Sequence, residues 1–226
     1  MITLGIDCAS KQSSVRIMDD DRILYTQVSN TNTTHSRNLL PMIDNRLRIC
    51  ELELGDVGLI ALTKGPGSFT GLRIGMAVVK GLASVNNIPC VGVSSLKALA
   101  RCEEHTGTVI PCFDARRGQI YGAVIRDGEV IKDDFCDKAT VLDDIVNDAN
   151  CSIVFIGDGK SVCYNVNGER ENVRYSTNEV PCLALGACLL GRDDYDKGLA
   201  VSHFELTPSY LRLSQAERER LERENG

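Results

Sequence analysis

The stretch Gly65-Pro66-Gly67-Ser68-Phe69-Thr70-Gly71-Leu72-Arg73-Ile74-Gly75 decides how the rest of the chain is read. An apolar run from Val57 to Thr63 leads into it and has the character of a buried strand. Gly65-Pro66-Gly67 forces a tight turn, since glycine enters positive φ freely and proline pre-sets its own φ. Ser68 is placed to cap a helix by accepting a backbone N–H from its first turn. Leu72, Met76, Val79 and Ala83 recur at helical steps, so this helix is expected to reach about Ser84. Gly71 and Gly75 stand four apart on one side of it and leave a shallow groove for another backbone. A helix start of this kind can hold an anion. The glycine spacing, G-x-G-x-x-x-G, fits neither the dinucleotide fingerprint nor a P-loop. The preferred reading is a rigid strand-to-helix corner.

Upstream, Ile2–Ile6 is a short strand closed by Asp7, followed by strands at Ser14–Met18 and Ile23–Val28. Leu39, Leu40, Ile43 and Leu47 mark a helix that runs to about Cys50. Downstream, Cys90–Val93 is a strand, and Ser94 or Ser95 caps a helix through about Glu104. After His105-Thr106-Gly107 the same order begins again. Strands are expected at Val109–Phe113, closed by Asp114, at Gln119–Ile125 and from Val130. A helix at Ala139–Asp148, a strand at Ile153–Ile156 and the glycine turn Gly157-Asp158-Gly159 follow. Val180–Leu190 reads as a buried helix, and Ala216–Glu224 as a solvated charged one. The repeat predicts an α/β protein of two like domains, 1–105 and 106–226, with a cleft between them.

Composition narrows the function classes. The 226 residues are 43% hydrophobic and 25% charged, ordinary for a globular protein. A formal net charge of -6 gives no general affinity for nucleic acid, so RNA contact is expected to be local or through a partner. Met1-Ile2-Thr3-Leu4 has no basic region with an apolar stretch behind it, and no apolar run nears the roughly 20 residues of a membrane span. A cytoplasmic protein without membrane contact is expected. The ten cysteines never form C-x-x-C and mostly sit in apolar runs, where a free thiol behaves as a small hydrophobe.

Two aspartates suggest chemistry. Asp7 and Asp114 close the first strands of the two halves, where carboxylates could hold Mg²⁺ and a nucleotide. After Asp7, however, comes Cys8-Ala9-Ser10, with no glycine to bring the backbone onto a phosphate. Arg116 and Arg117 after Asp114 could clamp a phosphate or pair with carboxylates. Asp7, Ser10, Asp114, Arg116, Gly157 and Gly159 are therefore taken as the candidate lining of a vestigial cleft. His35, His105 and His203 form no paired metal motif, and no Gly-x-Ser-x-Gly elbow appears. No catalytic or metal-ligating residue is assigned.

The decisive stretch, Gly65 to Gly75, resembles the signature of the bacterial TsaB (YeaZ) family. Ile6-Asp7-Cys8-Ala9-Ser10, His35-Ser36-Arg37-Asn38-Leu39-Leu40-Pro41 and Asp114-Ala115-Arg116-Arg117-Gly118-Gln119-Ile120-Tyr121 are similar to its opening strand, first helix and second-domain hairpin. Gly157-Asp158-Gly159 and Pro208-Ser209-Tyr210-Leu211-Arg212 add weaker matches. The resemblance implies the actin-like (ribonuclease H-like) two-domain fold that actin, Hsp70 and sugar kinases share. It also implies a part in placing N6-threonylcarbamoyl on tRNAs that read codons beginning with A. In that family the paralogue TsaD is the metal-dependent transferase, TsaE an ATPase, and TsaB a non-catalytic partner. Where TsaD-like proteins read N-H-L-x-x-H, this chain reads Ser94-Ser95-Leu96-Lys97-Ala98-Leu99, which puts Ser95 and Leu99 at the metal positions.

From the resemblance follow the expected partners: a TsaD-like transferase, a TsaE-like ATPase, a second copy, and tRNA only through the complex. No intrinsic cofactor is expected, and ATP or ADP only at a partner interface. Pairing would use the first domain's two helices, with Leu39, Leu40, Ile43, Leu47, Phe69, Gly71, Leu72, Gly75, Met76 and Val79 as the interface residues. The alternatives are an ATP-dependent phosphotransferase of the same fold, a glycoprotease-like peptidase, and a chaperone-like binding module.

Overall fold

The computed structural model describes residues 1–30, 35–148, 150–178, 181–212 and Arg223. Ile2–Asp7 (β1), Ser13–Asp19 (β2) and Arg22–Ser29 (β3) form an antiparallel meander, and His35–Ile49 (α1) follows. Val57–Gly65 (β4), Phe69–Asn86 (α2), Cys90–Ser94 (β5) and Ser95–Ala100 (α3) complete the first half. The second half repeats the plan with Thr108–Arg116 (β6), Gln119–Arg126 (β7) and Glu129–Lys138 (β8). Asp143–Val146 (α4), Ile153–Ile156 (β9), Lys160–Asn167 (α5), Val173–Tyr175 (β10) and Leu183–Asp196 (α6) complete it. The two five-stranded sheets run β3-β2-β1-β4-β5 and β10-β9-β6-β7-β8. Counted within each half, both are 3-2-1-4-5, with β4 beside β1 and β9 beside β6 in parallel. The repeated element order is thus a repeated topology.

Each sheet has two apolar faces, and each face finds its cover. α1 and α2 lay Leu39, Ile43, Met76 and Val79 over Leu4, Ile6, Val15 and Ile17 of the first sheet. Ile110, Ile120, Val124 and Phe155 form the matching core of the second. The remaining faces are covered by exchange. Leu96 and Leu99 of α3 pack with Val109, Phe113 and Val154 of the second sheet. Ala187 of α6 packs with Leu59, Ala61 and Val91 of the first. Small residues make that approach possible: a Cβ on Gly5 would lie 2.4 Å from the Ala184 carbonyl oxygen. One on Gly186 would lie 2.0 Å from that of Ala98.

Several sequence expectations shift. The helix expected to reach Glu104 stops at Ala100. Beyond it Cys102 N and Glu103 N donate to Leu99 O (3.0 Å) and Ala100 O (3.2 Å) in a tighter turn, and the Glu103 carboxylate accepts from Arg174 (2.6 Å) and Ser176 (2.8 Å). Ala139–Asp148 divides into a 3-10 turn, Ala139–Leu142, and the single turn of α4. The helix read from Val180 begins at Leu183 and runs on to Asp196; Val180 itself lies outside the described residues. Strand β10, three residues long, had no periodicity to betray it. The charged stretch Ala216–Glu224 lies, apart from Arg223, outside the described residues.

The second domain, expected over 106–226, does not keep its last part. α6 lies on the first sheet, Val201 pairs with Cys90, Leu206 joins the first core, and Ser209 N donates to Lys64 O (2.7 Å). All ten cysteines are free thiols, with Cys8, Cys90, Cys112, Cys151, Cys163 and Cys188 buried. No helix among the described residues is long and apolar enough to cross a membrane.

Candidate functional site

The glycine turn closes on its own chain. Ser68 caps α2, its Oγ accepting from Gly71 N (3.2 Å), while Ser68 N donates to Ala9 O (2.6 Å). A Cβ on Gly67 would sit 2.2 Å from the Ala9 carbonyl oxygen, and one on Gly71 2.0 Å from that of Cys8. The glycines therefore admit the loop after β1 beside the helix start, while Ser68 and Thr70 of the first turn stay exposed. Asp7 holds that loop from beneath. Its Oδ1 accepts from Ala9 N (3.0 Å) and Thr63 Oγ1 (2.6 Å), and the residue is 1% exposed. Burial raises its pKa to about 6, against the pull of these two hydrogen bonds and the nearby His35.

The second half repeats the device. A Cβ on Gly157 would meet the Cys112 carbonyl oxygen at 2.1 Å, and one on Gly159 the Phe113 backbone at 2.8 Å. Gly159 N donates to Cys112 O (3.1 Å). Asp158 Oδ1 accepts from Asp114 N (3.0 Å), and Asp114 Oδ1 from Arg116 N (2.7 Å). In both halves the turn after the fourth strand packs on the end of the first.

Between the halves lies a cavity of about 550 Å³, lined by residues that include Ser10, His35, Phe69, Asp114, Arg116 and Arg212. A hollow of about 300 Å³, lined in part by Ser10, Gly157 and Lys160, adjoins it. Ser10 lines both, Asp114 and Arg116 the larger, and Gly157 the smaller. Asp7 and Gly159 line neither: Asp7 is sealed under its own loop, and Gly159 is spent on contact with β6. Among the described residues no group of three or more His, Cys, Asp or Glu side chains is placed to hold a metal ion.

Most of the interface residues expected from the resemblance turn inward. Leu39, Ile43, Leu47, Gly71, Leu72, Gly75, Met76 and Val79 are all buried inside this chain. The Gly71/Gly75 groove is filled by Cys8. Phe69 is half-buried, stacked on Tyr210 with centroids 4.3 Å apart, and Leu40 alone of the set is well exposed. Periodicity picks out the inner face of a helix first, because that face is apolar. The outer face of α2 is nevertheless apolar too. Ile74, Ala77, Val78, Gly81, Leu82 and Val85 follow at helical spacing, with Ala77, Gly81 and Val85 exposed. Beside it lies a groove of about 900 Å³, lined by residues that include Leu40, Pro41, Arg48, Leu54 and Leu82.

Sequence reasoning missed what runs along α2. The segment after Val201 brings Phe204, 78% exposed, to Lys80, whose Nζ donates to Phe204 O (3.3 Å). Further on, Tyr210 OH accepts from Arg73 Nε (3.1 Å), and Arg212 Nη1 donates to Ala115 O (2.6 Å). Only the Pro208-to-Arg212 match hinted that this segment mattered.

Two like sheets of order 3-2-1-4-5, one in each half, make an actin-like fold. The ROK hexokinase of Thermus thermophilus shares that fold, with a TM-score of 0.52, 14% identity, and coverage of 86% of this chain and 100% of that one. Nearer is YeaZ from Pseudomonas aeruginosa, with a TM-score of 0.79 and 25% identity over 93% of this chain and 99% of that one. A family model described as TsaD, tRNA N6-adenosine threonylcarbamoyltransferase, matches residues 22–185. The tRNA threonylcarbamoyladenosine biosynthesis protein TsaB of Bacillus subtilis is 30% identical over 226 residues, 96% of each chain. Its namesake in Haemophilus influenzae is 31% identical over 195 residues, 79% of this chain and 80% of that one. The chain belongs to the TsaB family of tRNA threonylcarbamoyladenosine biosynthesis proteins.

Proposed function

We propose that the chain has no chemistry of its own. It serves as the scaffold that activates a TsaD-like transferase when N6-threonylcarbamoyl is placed on tRNAs reading codons that begin with A. The observation that carries this reading is the outer face of α2, an apolar stripe with small residues at Ala77 and Gly81 and an apolar groove alongside. Such a face suits a close-packed helix from a partner. The α3 segment supports the same reading. Ser95 Oγ accepts from Gly65 N (3.2 Å), Leu99 lies in the core between the halves, and both are 0% exposed. Neither side chain can take the place of a metal-binding imidazole.

Further partners in this reading are a TsaE-like ATPase, a second copy of the chain, and tRNA through the complex, with ATP or ADP only where a partner helps bind it. The phosphotransferase alternative needs a loop after the first strand that follows a phosphate closely, and here that loop is Cys8-Ala9-Ser10, with no glycine.

The test is reconstitution of the modification from transferase, ATPase, the synthase of the threonylcarbamoyl donor and tRNA, with and without this chain. Product is expected only when the chain is present. Gly81→Arg, at a position with nothing within 4 Å of an added Cβ, should leave the chain folded yet abolish both co-elution and product. A transferase that works equally well alone would sink the reading.

A further inference from the structure

We infer that the mouth of the cleft between the halves is a contact site for the phosphate backbone of single-stranded RNA, presented by a tRNA loop. The inference rests on the tRNA-modification reading and adds to it a direct RNA contact by this chain. The background argues against accident. With 31 acidic residues against 25 basic ones, the chain as a whole repels a polyanion. Yet Lys11, Arg116 and Arg212 reach one cavity of about 550 Å³ from three separate segments, beside His35, Phe69 and Tyr121. Cations that follow a backbone, interleaved with aromatic faces for bases, are what single-stranded nucleic acid requires.

The cations are also held ready. Among the described residues Arg116 and Arg212 make no ion pair, Lys11 acts on the nearby Asp158 carboxylate without a direct bond to it, and Arg212 is oriented by its bond to Ala115 O (2.6 Å). Asp114 and Asp158 share the cavity, and each gives one oxygen, Oδ1, to a backbone N–H group of the β6–β7 hairpin, at 2.7 and 3.0 Å. Arg116 and Arg117 take left-handed backbone angles, φ 67 and 57, where glycine or asparagine would rest at less cost. That hairpin accepts strain and carries two exposed guanidiniums at its tip. A free nucleotide suits the place less well, since the loop after β1, Cys8-Ala9-Ser10, has no glycine to wrap a phosphate.

The probe is a synthetic anticodon stem–loop RNA, and its binding to the complex of this chain with its TsaD-like partner is followed by fluorescence anisotropy across a salt series. The double variant Lys11→Ala/Arg116→Gly is expected to keep its melting temperature and its partner, since glycine relieves the backbone at position 116. Its affinity for the RNA should fall about tenfold or more. The slope of log K against log salt should shrink by about 1.4, the share of two phosphates on a single strand. Lys197→Ala, a cation outside the cavity, should change neither. Unchanged affinity and slope in an intact complex would overturn the inference. So would saturable ATP binding by the isolated chain that the same double variant removes, because the cations would then serve a nucleotide. If the wild-type chain forms no complex, the scaffold reading falls by itself, and the same measurement on the chain alone decides the RNA site.

Discussion

Asp7 shows how a residue that looks catalytic in sequence becomes structural in place. Its carboxyl is shut under the loop it pins, and burial holds its pKa near 6 against an ordinary 3.8. The folded state binds this proton more tightly than the unfolded one. The stability it contributes is therefore fully present below about pH 4 and lost as pH rises through about 6. The shift corresponds to about 3 kcal/mol. Asp7→Asn cannot titrate, so its stability relative to wild type should improve by about that amount between pH 4 and pH 7. Denaturant unfolding at several pH values checks this, and a difference that stays flat would show that the carboxyl is not buried in solution. Gly71 is the second case. The contact with Cys8 leaves no room for a Cβ, so Gly71→Ala should cost about 1–3 kcal/mol, read from the same unfolding curves.

At the scale of elements, α2 has two apolar faces with different work. The inner face, with Leu72, Met76, Val79 and Ala83, covers the sheet, while the outer one carries Ala77 and Gly81. Gly71 and Gly81 of this one helix should therefore respond in opposite ways to the same change. Gly81→Ala fills empty space and improves helix propensity, so the isolated chain should gain about 1 kcal/mol, where Gly71→Ala loses stability. A loss at Gly81 in the monomer would mean that the outer face is already covered. The Cys8 contact also explains why Gly71 and Gly75 look like a docking groove in sequence: the groove is real, and its occupant belongs to the same chain.

For the whole molecule, the exchange of α3 and α6 makes the halves depend on each other. Without α6 the face of the first sheet carrying Leu59, Ala61 and Val91 stands open to water. A fragment of residues 1–105 should therefore remain unfolded or aggregate, and a peptide spanning residues 181–212 should restore its structure. Circular dichroism and analytical gel filtration of the fragment, with and without the peptide, would test this. A well-folded, monomeric fragment would show that α6 is a dispensable cover.

Local signals in the chain determined the strand-turn-helix at Gly65, the strands of both meanders, the repeated order and the family. These depend on alternation, on helical spacing and on turn residues that act within a few positions. Tertiary structure alone decided which face of α2 looks outward, that Asp7 is sealed, and that helix α6 returns to the first sheet. Those outcomes rest on meetings such as Ala184 N with Ser14 Oγ, 170 positions apart, or Arg212 with Ala115. No local pattern encodes them, because a helix with two apolar faces fits either way up until its neighbours are in place.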